Sequence, residues 1–525
     1  MPLDFWRQDQ CLTCYLCQTA CPVMANEPTF LGPKVLGPEL ARFGQGTGKR
    51  PGTKDSLDLC TGCGLCRLAC PAGVSLPDLI LAARGAFLQP DGPVQNGRSR
   101  FALRERSRGF WKRFWAETIR PIGQLLLDRR ARRRWLLARP ELLGRVLGRW
   151  PRLQHLFWLQ PVRQFLRIVF GLAPDVPLPS YPETKKGREE KATTGSAASV
   201  GAKKAAGGKL EKPASTGALS LRGRRVAYFT GCSARYNDPD LIKDVVTLLE
   251  GFGAEVVIPP QTCCGTPAMH NGDLVEASRK ASYNLRHFLP LVWEGYDIVT
   301  SCPSCGLAWK KEYRELLGLA EAEEIVGHVY DFSEYLALHR PEPGAGGETR
   351  RLPEDGGPER PAEMRPPGAA PRGTEELNPA RAALQEAIRP LPADPGGGGP
   401  AVPAGDEGAL AAPLVPAGST VLYHTACHLR AQAIGTPSVE LLESMAGLRV
   451  KKLPTYCCGM SGTYGFKVER AELAKEIGEE LFQSIRAAGE KIVVTECASC
   501  ALQIRANTGA TVIHPAKILA RQKTP

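Results

Sequence analysis

Short apolar runs alternate with longer amphipathic runs over residues 223–338, and the alternation predicts an α/β unit there. Apolar and β-branched positions predict strands at 225–229, 255–258 and 297–300. Between them, apolar positions at helical spacing predict one helix over 239–251 and another near 274–289. Strands separated by helices favour a parallel sheet with right-handed crossovers.

The same pattern returns over residues 419–525, with strands predicted at 420–424, 449–453 and 492–495. Five cysteines keep nearly the same register in both stretches, displaced by 194 or 195 residues in every case. The first set is Cys232, Cys263, Cys264, Cys302 and Cys305, and the second is Cys427, Cys457, Cys458, Cys497 and Cys500. The chain therefore contains an internal repeat of a Cys-Cys-Gly, or CCG, unit.

Every cysteine group in the repeat follows the carboxyl end of a predicted strand. Because these ends share one edge of a parallel sheet, where α/β folds bind ligands, each copy is expected to gather five thiols. The glycines Gly265 and Gly459, together with the glycine-rich run that ends at Lys467, are predicted to let the backbone approach a bound group closely. Nearby histidines are expected to hydrogen-bond in these loops rather than to bind metal.

The residues before the repeat carry a different cysteine pattern, C-x2-C-x2-C-x3-C-P, twice. The copies are Cys11, Cys14, Cys17 and Cys21, then Cys60, Cys63, Cys66 and Cys70. This is the run of bacterial two-cluster ferredoxins, in which the fourth cysteine ligates the other cluster. One [4Fe-4S] cluster is therefore assigned to Cys11, Cys14, Cys17 and Cys70, and the second to Cys60, Cys63, Cys66 and Cys21. The alternative, a pair of zinc sites, usually shows two C-x-x-C pairs instead.

Composition supports bound metal rather than disulfides. All 18 cysteines of the 525-residue chain fall in these motifs, and the N-terminus shows no secretory signal. Five thiols exceed the four that a tetrahedral zinc or a cubane needs, so one or two further Fe–S clusters, which need not be cubanes, are predicted in the CCG units. Zinc in the first unit and a catalytic dithiol remain open alternatives.

The formal net charge of +13 is concentrated between the two cysteine-rich regions. Residues 98–172 hold 18 Arg and one Lys against four acidic residues, and they contain five of the eight Trp. Arginine interleaved with aromatic triplets is typical of amphipathic helices at an anionic membrane surface. Packing on the ferredoxin domain and nucleic-acid binding are the alternatives, and membrane or partner docking is favoured over nucleic acid. No apolar run is long enough to span a bilayer.

These observations divide the chain into six parts. They are a two-cluster ferredoxin domain (1–97), basic aromatic helices (98–175), a flexible linker (176–222), the first CCG domain (223–338), a disordered Pro/Gly-rich insert (339–418) and the second CCG domain (419–525). The predicted fold class is an α+β, ferredoxin-like helical domain for two [4Fe-4S] clusters, followed by two α/β CCG domains with parallel sheets.

Tandem ferredoxin motifs followed by two CCG repeats resemble the fused iron–sulfur subunits related to heterodisulfide reductase and glycolate oxidase, the CCG-domain proteins. Within that group, Leu31-Gly-Pro-Lys34, Gly37-Pro38-Glu39 and Cys457-Cys458-Gly-Met-Ser-Gly-Thr-Tyr-Gly-Phe-Lys467 are most similar to the C subunits of anaerobic glycerol-3-phosphate dehydrogenases. The resemblance covers about 1–90 and 223–525, without the insert.

The resemblance implies an electron-transfer subunit that passes electrons from a flavin-containing dehydrogenase subunit, most often one oxidising glycerol 3-phosphate, toward quinone. It implies peripheral association with the cytoplasmic face of the inner membrane. Alternatives are a glycolate or lactate oxidase iron–sulfur subunit and a heterodisulfide reductase-type catalytic subunit. The sequence shows no dinucleotide fingerprint, P-loop or nucleophile elbow, so no catalytic residue and no substrate site of its own are assigned.

Overall fold

The computed structural model describes residues 10–40, 52–88, 139, 219–340 and 414–521. Two parallel four-stranded sheets form its centre. The first sheet contains β1 (Arg225–Phe229), β2 (Glu255–Val257), β3 (Asp297–Thr300) and β4 (Val329–Asp331), and the second contains β5 (Thr420–Tyr423), β6 (Arg449–Lys452), β7 (Ile492–Val494) and β8 (Thr511–Ile513). The strand orders are β2-β1-β3-β4 and β6-β5-β7-β8. The predicted fold class is confirmed, and each sheet has a fourth strand that the sequence pattern did not indicate.

Longer helices connect the strands of each sheet. In the first CCG unit the helices are Gly231–Asn237, Pro239–Gly251, Thr266–His270, Leu274–Trp293, Pro303–Leu307, Tyr313–Glu315 and Phe332–Leu338, with a π-helical turn at Ala308–Glu312 and 3-10 turns at Ala320–Glu324 and Val326–His328. In the second they are Cys427–Arg430, Pro437–Ala446, Ala471–Ala488, Ala498–Thr508 and Pro515–Arg521, with a 3-10 turn at Tyr464–Phe466. Helices cover both faces of each central strand, which explains why β1 and β5 are almost uninterruptedly buried.

The two CCG units pack against each other through equivalent helices and share one hydrophobic core. Pro239–Gly251 packs on Pro515–Arg521, and Phe332–Leu338 packs on Pro437–Ala446. Apolar side chains of both sheets belong to one cluster, which includes Tyr228 and Tyr423. The pairing brings the two copies of the repeat into a pseudo-symmetric dimer within one chain.

The N-terminal region is helical, with no strand among its described residues. Its helices are Leu16–Thr19, Pro22–Asn26, Gly32–Lys34 (extended by a π-helical turn, Val35–Glu39), Thr53–Leu59, Leu65–Leu68 and Leu76–Leu88. Leu57 and Ile80 pack in one core with Leu473 and Ile477 of the second CCG unit, whereas Leu81 joins the core of the first. The ferredoxin-like region therefore contacts both CCG units.

The ordered CCG units begin slightly before their predicted boundaries. Leu221 is fully buried, and its backbone N–H donates to the Phe252 carbonyl. Likewise, Val415 is fully buried in the core that the two CCG units share. Apart from Arg139, the predicted basic helices, and most of the linker and the insert, lie outside the described residues.

None of the described helices is both long enough and apolar enough to cross a bilayer.

Candidate metal centres

Site A, defined as Cys11, Cys14, Cys17 and Cys70, combines three thiols of the first ferredoxin motif with the last thiol of the second. These four cysteines line one cavity together with Leu12, Thr13, Tyr15, Lys34, Pro71, Ala72, Val74 and Leu76. Burial, followed by the charges of Cys11, Cys70 and Cys14, raises the pKa of the Cys17 thiol. Cys14 is exposed and Cys17 is buried. Site A therefore contains the most exposed thiol of the four sites, Cys14.

Site B, defined as Cys21, Cys60, Cys63 and Cys66, shows the reciprocal exchange. Burial, followed by the charge of Cys63, raises the pKa of the Cys21 thiol well above its ordinary value. Cys60, Cys63 and Cys66 come from the second motif, so the structure brings each fourth cysteine to the other motif's three thiols. Proline follows Cys21 as the first residue of the helix Pro22–Asn26, which turns the chain away directly after the thiol.

The backbone of the two motifs turns in the same left-handed way. The residues between the first three cysteines have positive φ in both copies: Thr13 (55°) and Tyr15 (64°) in one, and Gly62 (70°) and Gly64 (80°) in the other. In the second motif the Gly62 N–H points to the Cys60 sulfur at 3.4 Å. The loops therefore curl around the thiols, and the first motif does so with two side chains that seldom adopt this conformation.

The first CCG site, defined as Cys232, Cys263, Cys264, Cys302 and Cys305, lies at the carboxyl ends of β1, β2 and β3. Hydrogen bonds from the Cys263 and Cys305 thiols lower the pKa of Cys264 to about 5. Cys302 is followed by the helix Pro303–Leu307, and a hydrogen bond from Cys305 lowers the pKa of Cys302. The five thiols thus form one contact network, as expected from the strand ends.

The second CCG site, defined as Cys427, Cys457, Cys458, Cys497 and Cys500, repeats this arrangement. Hydrogen bonds from Cys427 and Cys458 hold the pKa of Cys457 well below its ordinary value. The Gly459 N–H also points to the Cys457 sulfur, at 3.4 Å. Gly459 (φ 78°) and Gly265 (φ 91°) both have left-handed backbone conformations directly after the cysteine pair. The Gly459 backbone therefore approaches a cysteine sulfur of the second site.

Lys467 lies at a domain junction. Its side chain is buried, and its Nζ is 2.9 Å from Asp58 Oδ1 of the ferredoxin-like region. Burial alone would raise the pKa of Asp58, but the charges of Lys467 and Arg84 hold that pKa well below its usual range. Lys467 therefore has a partner, at a sequence separation of 409, that the sequence did not indicate.

Buried histidines occupy the space where the three regions meet. His270 and His428 have ring centroids 5.5 Å apart, and His428 Nδ1 lies 2.8 Å from Ser304 Oγ. His428 therefore has the hydrogen-bonding role predicted for these histidines, whereas His270, within the described part of the chain, does not. Neither ring nitrogen of His270 has a hydrogen-bond partner among the described residues. Burial lowers the pKa of His270 to about 3, so its ring is neutral at pH 7.

The four sites form a series. The pKa of Cys66 in site B is raised by burial and by neighbouring thiols, among them Cys17 of site A. Burial, followed by the charge of Cys457, raises the pKa of Cys63 to about 12, which links site B to the second CCG site. Cys497 of the second CCG site in turn acts on Cys302 of the first. These interactions connect site A with site B, site B with the second CCG site, and the two CCG sites with each other.

The donor sets suit sulfur-rich clusters. All described ligand candidates in the four sites are thiols, which is the chemistry of Fe–S clusters and of zinc. Within the described ranges, no three or more His, Cys, Asp or Glu side chains are arranged to hold a single metal ion. Five thiols at one sheet edge exceed the four ligands of a tetrahedral zinc site.

Comparison with known proteins agrees with this geometry. Residues 7–74 match the 4Fe-4S dicluster domain, and residues 226–310 and 421–505 each match the cysteine-rich CCG domain. The chain is 27% identical over 516 residues to the C subunit of anaerobic glycerol-3-phosphate dehydrogenase of Escherichia coli, covering 98% of both chains.

More distant relatives cover about half of this chain. The B subunit of the fumarate reductase (CoM/CoB) of Methanothermobacter marburgensis is 26% identical over 54% of this chain and 42% of its own length. Lactate utilization protein A 1 of Bacillus mycoides is 24% identical over 54% of this chain and 88% of its own. With its two ferredoxin motifs and its paired five-thiol sites, the chain contains a 4Fe-4S dicluster domain followed by two cysteine-rich CCG domains, and it is similar over nearly its whole length to a dehydrogenase C subunit.

Proposed function

We propose that this chain is the iron–sulfur subunit of a membrane-associated dehydrogenase, and that it passes electrons from a flavin-containing subunit toward the quinone pool. Sites A and B would each hold a [4Fe-4S] cluster, and each CCG site would hold a further, non-cubane cluster. Such clusters accept and release single electrons. The observation that carries the proposal is that four thiol sites, from site A with its exposed Cys14 to the first CCG site, are each close enough to the next for their thiols to interact electrostatically.

The chain's own residues would supply insulation and fixed positions. Most of the 18 thiols are buried, and neighbouring backbone N–H groups point at sulfur in both types of site. Exclusion of water from a cluster and hydrogen bonds to its sulfurs set its potential. Site A, with its exposed thiol, would be the place where electrons pass between this chain and another redox protein.

Glycerol 3-phosphate is the proposed substrate of the flavin subunit because the similarity to the Escherichia coli dehydrogenase component runs over the whole chain. The alternatives are a lactate or glycolate oxidase subunit and a heterodisulfide reductase-type catalytic subunit. Of these, the lactate alternative has support from a lactate utilization protein that is similar over about half of this chain. Peripheral association with the cytoplasmic face of the inner membrane, through the basic aromatic residues 98–175, is part of the same proposal.

Metal analysis tests the cofactors. Anaerobically purified protein is expected to contain roughly 16 iron and 16 acid-labile sulfide per chain if all four sites hold four-iron clusters. A lower iron content, with about one zinc per chain, would favour zinc in the first CCG site. Zinc without sulfide would contradict all four assignments.

Substitution of Cys458 by serine tests the second CCG site. The electron paramagnetic resonance signal of that site is expected to disappear, because Cys458 contacts both Cys457 and Cys500 in the thiol network, whereas the ferredoxin-type signals are expected to persist. The matched control is Cys264→Ser, which is expected to remove only the signal of the first CCG site. Loss of all signals in either variant would indicate misfolding, and persistence of the second-site signal in Cys458→Ser would contradict the assignment.

The electron donor can be identified with the native membrane-bound complex. Glycerol 3-phosphate is expected to reduce the iron–sulfur clusters, whereas lactate and glycolate are not. Reduction by lactate or glycolate, but not by glycerol 3-phosphate, would show that the proposed substrate is wrong. Cleavage of a heterodisulfide by the purified chain with a reduced dye would instead establish a catalytic CCG site.

A further inference from the structure

The two CCG sites have different buried charges. Directly after each cysteine pair, the glycine approaches the backbone of the next long helix: a Cβ added at Gly265 would lie 3.3 Å from the Ala277 carbonyl oxygen, and one at Gly459 would lie 1.8 Å from that of Ala474. Ala277 and Ala474 therefore occupy equivalent positions in the two copies. The offset between these alanines is three residues larger than the offset between the two cysteine pairs. With this alignment of the helices, Lys280 corresponds to Ile477.

A second observation supports this match. Ile477 packs in the same hydrophobic cluster as Cys457 of the second site, and Lys280 acts electrostatically on the equivalent Cys263 of the first. Both side chains are buried, Lys280 to 0% exposure and Ile477 to 4%. One turn further along, Asn284 donates to the Cys263 carbonyl oxygen, whereas the matching residue in the second helix is the apolar Leu481.

Lys280 shares an acidic partner with two arginines. Its Nζ lies 3.8 Å from Glu276 Oε1, and Glu276 also pairs with Arg279 at 2.9 Å and with Arg139 at 3.2 Å. Arg139 in addition lies 3.8 Å from Asp273. Lys280 therefore brings a buried cation to the helix beside the first CCG site, where the second helix has the uncharged Ile477.

From this asymmetry we propose that Lys280 raises the reduction potential of the first CCG site above that of the second, so that electrons pass from the second site to the first. The inference rests on the proposed function, because it requires a cluster in each CCG site. Reduction adds one negative charge to a site, and a buried cation close to it stabilises that charge by Coulomb attraction. In the step itself one electron leaves the second site, which is oxidised, and enters the first, which is reduced; no bond forms or breaks.

A redox titration of the full-length, anaerobically purified protein, followed by electron paramagnetic resonance, tests the proposal. The two CCG signals are assigned first by their loss in Cys264→Ser and Cys458→Ser. In the wild-type protein the first-site signal is expected to be reduced at the higher potential. In Lys280→Met the ratio of reduced to oxidised first site at a fixed potential is expected to fall about tenfold, which for a one-electron couple is about 59 mV.

Two further variants separate charge from packing. Ile477→Met, the matched change in the second copy, is expected to leave the first-site potential unchanged. Glu276→Gln removes the carboxylate that faces Lys280, so it is expected to shift the first site to a higher potential, opposite to Lys280→Met.

An unchanged first-site potential in Lys280→Met, or equal shifts in Lys280→Met and Glu276→Gln, would overturn the role of Lys280. A wild-type second site that is reduced before the first would overturn the proposed order. A wild-type protein with iron but no CCG signals in any oxidation state would instead overturn the proposed function.

Discussion

Replacement of Cys70 by serine is expected to abolish the [4Fe-4S] signal of site A and to leave that of site B in place, although Cys70 belongs to the motif that supplies three thiols to site B. The reason is the exchange of fourth cysteines: Cys70 lines the site A cavity with Cys11, Cys14 and Cys17. The bound iron is expected to fall by about four atoms per chain if the cluster is lost entirely. Iron analysis and electron paramagnetic resonance of the dithionite-reduced protein measure both effects.

The reciprocal variant is the control for Cys70→Ser. Cys21→Ser is expected to remove the signal of site B and to spare that of site A, because Cys21 interacts with Cys63 and Cys60. If Cys70→Ser removed the signal of site B instead, each motif would hold its own cluster and the assignment would be wrong. Because the two variants make the same chemical change in equivalent motifs, a general effect on folding would affect both alike.

Substitution of Gly459 by alanine is expected to destabilise the second CCG unit severely, by more than about 4 kcal/mol. A Cβ at this position would lie 1.8 Å from the Ala474 carbonyl oxygen, and φ is 78°. Since the obstructing atom belongs to a helix backbone, relief requires the helix Ala471–Ala488 to move away from the cysteine pair. The expected results are loss of the second-site signal and a lower denaturant midpoint for the second CCG unit.

Gly265→Ala is the matched control in the first copy. Its Cβ would lie 3.3 Å from the Ala277 carbonyl oxygen, so a small shift of the helix suffices. The left-handed backbone conformation alone is expected to cost about 1–2 kcal/mol, with the first-site signal retained. Equal losses in the two variants would show that the positive φ, rather than the distance to the helix, sets the cost.

The positions of most strands could be predicted from the local pattern of apolar and polar residues. The strands β1 and β3 agree with their predicted bounds, and β2, β5, β6 and β7 differ by one residue at the carboxyl end. The fourth strands, β4 and β8, were missed because each is three residues long and carries no apolar run that separates it from a helix or turn. They pair at the edge of a sheet whose other strands are already in place, so their extended conformation depends on tertiary contacts.

In the candidate sites, too, the local features could be predicted from the sequence and several contacts between distant segments could not. The grouping of thiols within each motif could be predicted, because two or three intervening residues leave the chain little freedom in where it places them. The exchange of the fourth cysteines and the gathering of five thiols at each sheet edge were also predicted, whereas the position of the ferredoxin-like region relative to the CCG units was not. The pairing of Lys467 with Asp58, the junction at His270 and His428, and the match of Lys280 with Ile477 all depend on contacts between distant segments.

The sequence by itself determined the number and composition of the sites: 18 cysteines in two ferredoxin motifs and two CCG repeats, each repeat with its thiols at strand ends. Only the tertiary structure decided their order and their different surroundings. The ferredoxin-like region packs on both CCG units and places site B beside the second CCG site, and the pseudo-symmetric pairing places the two CCG sites next to each other. The physical reason is range: ligand spacing is set by local backbone geometry, whereas proximity and electrostatic environment are set by the packing of segments hundreds of residues apart.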